Sequence, residues 1–317
     1  MKLVNYRVGE SIRAAAIVGN QVIDLNRAYV AMLEAQGQAR AEKVAEALVP
    51  ANTIEFLEGG DKSLEEAYKA IEYAQAEEAT NPKIVLSKDD VRIEAPVLKP
   101  NKIICVGHNY REHILEMKRE LPPYPVIFAK FNNAIIGPED DIPNSPLTEQ
   151  LDYEAEFTFV ISKKAKNVSK EEALDYVAGY TIVNDVTARD LQRRTLQWLQ
   201  GKTLDGSAPM GPWLVTKDEI PNPHELEVVL KVNGEERQRS NTANLVFDVN
   251  YLVEFLSSIM TLEPGDVICT GTPGGVGVAR DPQVFLQDDD VVQIEIDKIG
   301  VLENKVKSVT NAVKVGR

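Results

Sequence analysis

The stretch from residue 151 to residue 192 constrains the fold more than any other part of this chain. It opens with LDYEAEFTFVISK, in which polar and apolar residues alternate from Glu154 onward. Side chains two positions apart on a β-strand point to the same face. Glu154 and Glu156 therefore share one face, while Phe157 and Phe159 share the opposite one. The pattern predicts a strand with one core face and two neighbouring carboxylates on the other.

A third carboxylate, Asp185, follows a second apolar run at Tyr180–Val183. If the two runs pair in one sheet, the three carboxylates converge. Adjacent buried carboxylates repel each other, and a bound cation removes that penalty. All-oxygen ligands favour a hard divalent ion, Mg²⁺, Mn²⁺ or Ca²⁺, over zinc. The spacing alone leaves open an alternative in which Glu154 and Glu156 are solvated at a sheet edge.

Composition limits the class of protein. A chain of 317 residues with 44% hydrophobic content is long enough for one or two domains. The net charge of -14 argues against nucleic acid or an anionic membrane as a partner. We expect a cytoplasmic protein, because neither a signal peptide nor an apolar run of about 18 residues is present. Cys105 and Cys269 lie in apolar runs and are predicted to be buried and reduced.

The first 95 residues are predicted to form a small α+β domain. Apolar strand-like runs meet at a Gly19–Asn20 turn, and helical patterns follow. Ser63 and Glu66 have the spacing of a capping box, so a helix is expected to begin there and to end near Thr80–Pro82. This unit contains no catalytic constellation. The remaining residues, 96–317, are strand-rich and carry the candidate site.

A short helical stretch, NYREHILEMKRE, contains His113 and Glu116 three positions apart, which makes them neighbours on one helix face. A carboxylate beside an imidazole fixes its tautomer and raises its basicity, as a general base requires. A surface ion pair is the alternative. Of the other two histidines, His108 is expected to satisfy local backbone groups, and His224 is a loop residue.

Several basic or polar side chains occupy unusual positions. Lys130 interrupts the apolar strand VIFAKF, either as an edge-strand lysine or as a cation directed at a substrate carboxylate. Thr187 is a predicted N-cap for a helix that carries Arg189 and Gln192. Positive charge is unfavourable at a helix N-terminus, which indicates another role for Arg189. Lys202, taken with its local sequence alone, is predicted to be a surface lysine.

The C-terminal third contains a hairpin with an Asn233–Gly234 type I′ turn and a glycine-rich segment, DVICTGTPGGVGV. That segment lacks the GK[ST] ending of a phosphate-binding loop, so it is not interpreted as a nucleotide site. Neither a GxSxG nor a CxxC motif occurs, which argues against serine-hydrolase and zinc chemistry.

Five ordered motifs together resemble the fumarylacetoacetate hydrolase family over about residues 96–310. They are GHNYREHILEM, YEAEFTFVISK, GYTIVNDVTARDLQ, VNGEERQ and TLEPGDVICTGTPGGVG. The resemblance implies a strand-rich α+β fold, a mixed β-sandwich roll with flanking helices, and a homodimer. An N-terminal unit of this size also occurs in some members. One departure is Phe131, where many members carry proline.

The resemblance also implies roles for individual residues. Metal ligands for Mg²⁺ or Mn²⁺ would be Glu154, Glu156 and Asp185. A dyad that activates water would be His113 and Glu116. Groups that hold the substrate or its developing oxyanion would be Lys130, Arg189, Gln192, Lys202 and Thr272, of which Lys202 is expected to act in catalysis.

These roles predict an enzyme that acts on a small 2-oxo acid. The expected reaction is metal-dependent hydrolytic C–C cleavage of an acylpyruvate-like substrate, because a divalent ion would stabilise the enolate that leaves. Decarboxylation of oxaloacetate and isomerisation of a hydroxymuconate-type acid remain open on the same site. An alternative of another class is a metal-dependent binding protein without turnover.

Overall fold

The structure, a computed structural model, describes residues 1–76 and 81–309. This part of the chain is a strand-rich α+β fold, as the sequence predicts. Its strands, in chain order, are β1 (Lys2–Val8), β2 (Ser11–Val18), β3 (Gln21–Asp24), β4 (Val85–Ser87), β5 (Arg92–Glu94), β6 (Ile103–Gly107), β7 (Val126–Lys130), β8 (Ile135–Ile136), β9 (Ile142–Asn144), β10 (Leu151–Asp152), β11 (Ala155–Ile161), β12 (Val177–Asn184), β13 (Thr187–Ala188), β14 (Ala208–Thr216), β15 (Glu227–Val232), β16 (Glu235–Asn241), β17 (Val267–Cys269), β18 (Val291–Ile296) and β19 (Gly300–Ser308).

The α-helices flank the sheets, and several are only one or two turns long. They are α1 (Leu25–Ala35), α2 (Ala41–Leu48), α3 (Thr53–Glu58), α4 (Gly60–Ala76), α5 (Arg111–Glu116), α6 (Arg189–Gln192), α7 (Leu199–Lys202) and α8 (Val249–Ile259). No helix in the described ranges has both the length and the apolar character needed to cross a membrane.

The N-terminal strands continue the main sheet. β1 pairs antiparallel with β2 and also with β14, where Leu3 lies opposite Leu214. One hydrophobic cluster contains Leu3 and Ile23 together with Val183 and Leu214. Sheet and core therefore pass across residue 95. The domain boundary at that position stays a prediction, and residues 310–317 lie outside the described ranges.

Helix α4 begins earlier than the capping box predicts. It starts at Gly60, so Ser63 lies inside the helix, where it is buried. The capping-box prediction is wrong because Glu66 contacts other partners: it accepts hydrogen bonds from the Tyr29 hydroxyl and from Lys62. The predicted helix end at Thr80 lies outside the described residues.

Strand β11 lies at the centre of the main sheet. It pairs antiparallel with β12 on one side and with β17 on the other, and all seven of its residues are buried. The pairing of the two apolar runs is thus confirmed. The alternative of a solvated sheet edge is wrong because β11 has a strand on each side. Cys105 and Cys269 are opposite each other on β6 and β17, and both are buried free thiols, as predicted.

A second sheet, in the order β16-β15-β18-β19-β9, packs against the main sheet. Phe157 and Phe159 on the predicted core face of β11 share one hydrophobic cluster with Leu230, Ile294 and Leu252. The sandwich between the sheets is therefore built from the apolar face that the alternation predicts. The hairpin between β15 and β16 has positive φ at Asn233 and Gly234, as a type I′ turn requires.

Candidate functional site

Three buried carboxylates meet where β11 begins and β12 ends. Glu154, Glu156 and Asp185 each place an oxygen within 4.8 Å of the others, and all three residues are buried. The antiparallel register brings the two strand ends together, and the Asp185 amide donates to the Glu154 carbonyl at 2.9 Å. The convergence predicted from the i, i+2 spacing is confirmed.

Buried cations lie against this carboxylate cluster. Lys202 Nζ is 2.8 Å from Glu154 Oε2 and 2.6 Å from Asp185 Oδ2. Lys130 Nζ is 2.7 Å from Asp185 Oδ1, and Arg189 Nη2 is 2.7 Å from Glu154 Oε1. The cluster is therefore a network of alternating charges inside the protein.

Lys202 is not the surface lysine that its local sequence suggests. It is 1% exposed, because α7 packs against β13 and β7. Gly201 permits this approach, since a Cβ atom there would lie 2.4 Å from the Ala188 carbonyl oxygen. Lys130 is 2% exposed and is likewise not a solvated edge lysine. It donates to Asp185 and to the Val186 carbonyl.

Arg189 is held by a carboxylate that the sequence reasoning missed. Asp152 accepts from Arg189 Nε at 2.8 Å and also from the amides of Gly277 and Val278. The sequence indicates this role of Asp152 only through its position, two residues before Glu154. The predicted N-cap at Thr187 is wrong, because Thr187 belongs to β13 and donates its hydroxyl to the Asp185 carbonyl.

The charges in the cluster are unequal. Four carboxyl groups, those of Asp152, Glu154, Glu156 and Asp185, are faced by three cations among the described residues, Lys130, Arg189 and Lys202. Burial would raise the pKa of Glu154, but Lys202 and Arg189 hold that pKa below its ordinary value. Glu156 accepts a hydrogen bond from the Gly271 amide at 2.8 Å and makes no ion pair with any cation in residues 1–76 and 81–309. Burial and the Asp185 charge raise the pKa of Glu156 well above its ordinary value.

This imbalance fits a hard divalent cation. Glu154, Glu156 and Asp185 supply only oxygen ligands, the kind that Mg²⁺ and Mn²⁺ prefer. Burial and the neighbouring Asp185 charge both raise the pKa of Glu156, and a bound cation would offset both effects. These three residues could hold the ion, with Lys202 next to it.

The predicted dyad is present on α5. His113 Nδ1 and Glu116 Oε1 are 2.8 Å apart, and Glu116 Oε2 accepts from the Gly275 amide at 2.9 Å. Gly275 has a φ of 103°, and a Cβ atom there would lie 2.0 Å from the Arg237 carbonyl oxygen. The glycine-rich segment thus fixes Glu116, which in turn orients His113 and leaves Nε2 as the nitrogen available to a ligand.

His113 of the dyad and two of the three carboxylates, Glu154 and Glu156, line one cavity of about 210 Å³, whereas Glu116, Asp185 and Lys130 lie behind its wall residues and contact them or their neighbours. Predicted site residues among its walls are His113, Glu154, Glu156, Arg189, Gln192, Lys202 and Thr272. Gln192 accepts from Arg189 Nη1 at 3.2 Å, and the Thr272 hydroxyl accepts from Gln238 at 2.8 Å. The cavity joins a basic nitrogen, fixed positive charge and an all-oxygen cation site. It can therefore bind a small anionic acid and move a proton on it.

His108 also lines this cavity, and the prediction that it satisfies local backbone groups is wrong. Both of its ring nitrogens are buried without a hydrogen-bond partner in the described part of the chain. Trp198 is a further wall residue that the sequence reasoning missed, and its ring lies edge-on to His108.

Known proteins with similar sequences were found over most of the chain. The profile described as fumarylacetoacetate (FAA) hydrolase C-terminal matches residues 102–307. The mitochondrial oxaloacetate tautomerase fahd2 of Xenopus laevis is 45% identical over 260 residues, covering 81% of this chain and 79% of the relative. Oxaloacetate tautomerase YisK of Bacillus subtilis (strain 168) is 44% identical over 262 residues, covering 81% and 87%.

Comparison with solved structures also gives matches in the fumarylacetoacetate hydrolase family. A fumarylacetoacetate hydrolase from psychrophilic Exiguobacterium antarcticum has a TM-score of 0.78 at 35% identity, covering 98% of this chain and all of that one. Maleylpyruvate hydrolase from Sphingobium sp. SYK-6, solved with manganese(II) and pyruvate, has a TM-score of 0.72 at 29% identity, with 98% and 100% coverage. The resemblance in the motifs is confirmed, and the chain belongs to the fumarylacetoacetate hydrolase family.

Proposed function

We propose that this protein is a divalent-metal-dependent enzyme that interconverts the keto and enol forms of oxaloacetate. The observation that carries the proposal is the buried, under-neutralised carboxylate centre beside an oriented histidine. Relatives that are 44–45% identical and bear the name oxaloacetate tautomerase support this choice of substrate. The cavity of about 210 Å³ is smaller than the roughly 300–1,000 Å³ typical of drug-sized ligands, which suits a small acid.

The metal centre would hold the substrate's 2-oxo acid end. A divalent ion bound by Glu154, Glu156 and Asp185 would supply Lewis acidity toward the carboxylate and keto oxygens and stabilise enolate charge. Mg²⁺ or Mn²⁺ suits these ligands, and the maleylpyruvate hydrolase structure contains manganese(II).

Lys202 and Arg189 supply fixed positive charge at the oxygen that becomes negative. Burial would lower the pKa of Lys202, but Asp185 and Glu154 raise it above its ordinary value, so the ammonium group stays protonated. Arg189 is clamped between Asp152 and Glu154 and lines the cavity. Donors that are already oriented require no reorganisation as charge develops.

His113 would move the proton. Its Nε2 takes a proton from the carbon between the two carbonyl groups of the keto form and returns it to the keto oxygen, which gives the enol and restores the neutral imidazole. The reverse transfer restores the keto form, so no water is consumed. Glu116 accepts the Nδ1–H hydrogen bond, which keeps Nε2 as the basic nitrogen and stabilises the imidazolium.

The direct test follows the ultraviolet absorbance of enol oxaloacetate after it is mixed with the Mg²⁺- or Mn²⁺-loaded protein. We expect decay of the enol to be accelerated over buffer that contains the same metal, and His113→Ala to slow it by roughly 10²-fold or more. Absence of acceleration by the metal-loaded wild type contradicts the proposal. Arg194→Met, an exposed arginine outside the cavity wall, is the control.

Hydrolysis of an acylpyruvate-like acid is the second candidate. It is favoured by the His113–Glu116 pair, which has the geometry to deprotonate a water, and by the likeness to a maleylpyruvate hydrolase. Pyruvate release from a panel of acylpyruvates measures this activity. Pyruvate release from oxaloacetate measures decarboxylation, which requires no water attack and should be less sensitive to His113→Ala.

A further inference from the structure

His108, a residue of the cavity wall, is held in an unusual conformation. Its φ is 55°, in the left-handed region that few non-glycine residues adopt. The next residue, Asn109, fixes the segment: its side-chain amide donates to the Phe247 and Thr270 carbonyls and accepts from the Phe247 amide. The imidazole is therefore held in place by the fold.

Packing fixes the ring of His108 as well. It stacks on His113 at a centroid distance of 6.0 Å and meets Trp198 edge-on at 5.5 Å. Trp198 fits over Gly107, where a Cβ atom would lie 2.6 Å from the indole ring. Burial and the nearby Arg119 charge lower the pKa of His108 to about 4, so the ring is neutral near pH 7. A neutral imidazole has one donor and one acceptor, and neither has a partner in the described part of the chain.

Two arginines line the same cavity as this ring, and Arg119 is close enough for its charge to lower the pKa of His108. Arg119 and Arg193 both line the cavity, both are exposed, and neither guanidinium makes an ion pair with any residue of the described ranges. Arg119 is placed by a Schellman motif: its amide donates to the Ile114 carbonyl, while Lys118, at φ 55°, donates to the Leu115 carbonyl. Arg193 directly follows α6 and caps its C-terminus.

The wall residues His108, Arg119 and Arg193 thus differ in charge from the carboxylate centre. Within the described ranges, Lys130, Arg189 and Lys202 each contact a carboxylate, whereas the two wall arginines make no ion pair and the imidazole makes no hydrogen bond. We propose that His108, Arg119 and Arg193 form a second anion-binding subsite, which takes the far carboxylate of a dicarboxylic 2-oxo acid. The proposal rests on the proposed function for the orientation of the substrate, whose 2-oxo end lies at the carboxylate centre.

A pair of probes tests this subsite: oxaloacetate and its 4-methyl ester, which keeps the 2-oxo acid end and lacks the far charge. Binding to the Mg²⁺-loaded protein is measured through the fluorescence of Trp198, one of two tryptophans in the chain and a wall residue of the cavity. The ester cannot accept charge-assisted hydrogen bonds at its far end, so we expect oxaloacetate to bind roughly tenfold more tightly than the ester.

The Arg119→Met/Arg193→Met double variant should lose this preference. Its matched control is Arg111→Met/Arg194→Met, which removes the same charge from two exposed neighbours that do not line the cavity. His108→Asn, which tolerates positive φ, should weaken the preference about threefold. The proposal is overturned if the wild type does not discriminate between the probes, if the site double variant keeps the preference, or if the control loses it equally.

The same experiment separates this proposal from the proposed function. Discrimination between the probes without acceleration of enol decay would retain the subsite and reject the tautomerase. If the protein accelerates enol decay but its preference for oxaloacetate over the ester survives replacement of the two arginines, the tautomerase is retained and the subsite is rejected.

Discussion

Two lysine–carboxylate networks in this molecule use the same residue types with opposite consequences. On helix α4, Lys62 bridges Glu65 and Glu66, and Lys69 contacts the same two carboxylates. In the carboxylate centre, Lys202 bridges Glu154 and Asp185. The lysines of the helix network are about half exposed, at 55% and 46%, whereas Lys202 is almost fully buried.

The difference lies in how completely each network neutralises its acids. On α4, two lysines face two glutamates, and the hydrogen bond from Lys62 lowers the pKa of Glu66 to about 2. In the centre, burial and neighbouring acids raise the pKa of Glu156. In the surface network, the carboxylate charges are balanced by the neighbouring lysines and by water. In the buried network, which has more carboxyl groups than cations, the charges are balanced only when a cation is added, and this makes it a binding site.

The largest expected effect comes from removing Glu156, the acid of the centre without an ion-pair partner among the described residues. Glu156→Gln should abolish tight Mn²⁺ binding and lower turnover of oxaloacetate roughly a thousandfold, because several kcal/mol of charge stabilisation are lost. Calorimetric titration with Mn²⁺ and the enol-decay assay measure the two effects. Glu65→Gln on α4 is the control and should change neither. Full activity in Glu156→Gln would show that the metal assignment is wrong.

The next effect concerns the bridging lysine. Lys202→Met leaves two buried carboxylates facing each other, so the metal-free protein should lose about 3–5 kcal/mol of its free energy of unfolding. Saturating Mn²⁺ should restore more stability to this variant than to the wild type, since the ion replaces the lost charge. Urea unfolding with and without Mn²⁺ measures both. Lys62→Met, which also removes a bridge between two glutamates, should have little effect; equal losses in the two variants would remove the distinction between the networks.

The two networks should also respond to pH with opposite signs. Because the pKa of Glu156 is raised on folding, its contribution to stability is present below about 4.5 and is lost as pH rises through the folded value. Metal-free wild type should therefore become less stable relative to Glu156→Gln as pH rises from about 4.5. Urea unfolding of both proteins over that range gives the slope, and a difference that does not change with pH would contradict the pKa assignment.

The smallest expected effect is that of Glu66→Gln. The lowered pKa of Glu66 contributes stability above pH 4.5, which is lost as pH falls toward about 2. At pH 7 we expect a loss of about 1 kcal/mol or less, because the partner lysines are half exposed and screened. The loss should shrink further at 1 M salt. A loss as large as that of Lys202→Met would mean that exposure does not separate the two networks.

The sequence predicted the parts of the site that depend on short spacings. His113 and Glu116 are one helical turn apart, so their contact follows from the helix itself. The pairing of Glu154 with Glu156 follows from strand periodicity, and Asp185 required the further assumption that two apolar runs pair. The position of Lys202 could not be predicted in this way, because its carboxylate partners lie 17 and 48 residues away along the chain.

Predictions from local sequence patterns were also wrong where the side chain makes a tertiary contact in place of the expected local one. Ser63 and Glu66 have the spacing of a capping box, yet Glu66 is engaged by Tyr29 from another helix. Thr187 has the features of an N-cap, yet its hydroxyl donates to the backbone of Asp185. His108 looks like a residue that serves its own turn, yet its ring lies unsatisfied in the cavity. In each case the side chain is placed by packing across the fold.

By itself, the sequence determined the strand-rich architecture, the family, the acidic residues of the centre and the histidine dyad, because these follow from periodicity and from ordered motifs. The tertiary structure decided which cation meets which carboxylate, and it decided that, among the described residues, Glu156 has no cation partner and the wall arginines Arg119 and Arg193 have no carboxylate partner. Ion pairing between distant residues depends on the relative placement of whole strands and helices, which no local pattern encodes.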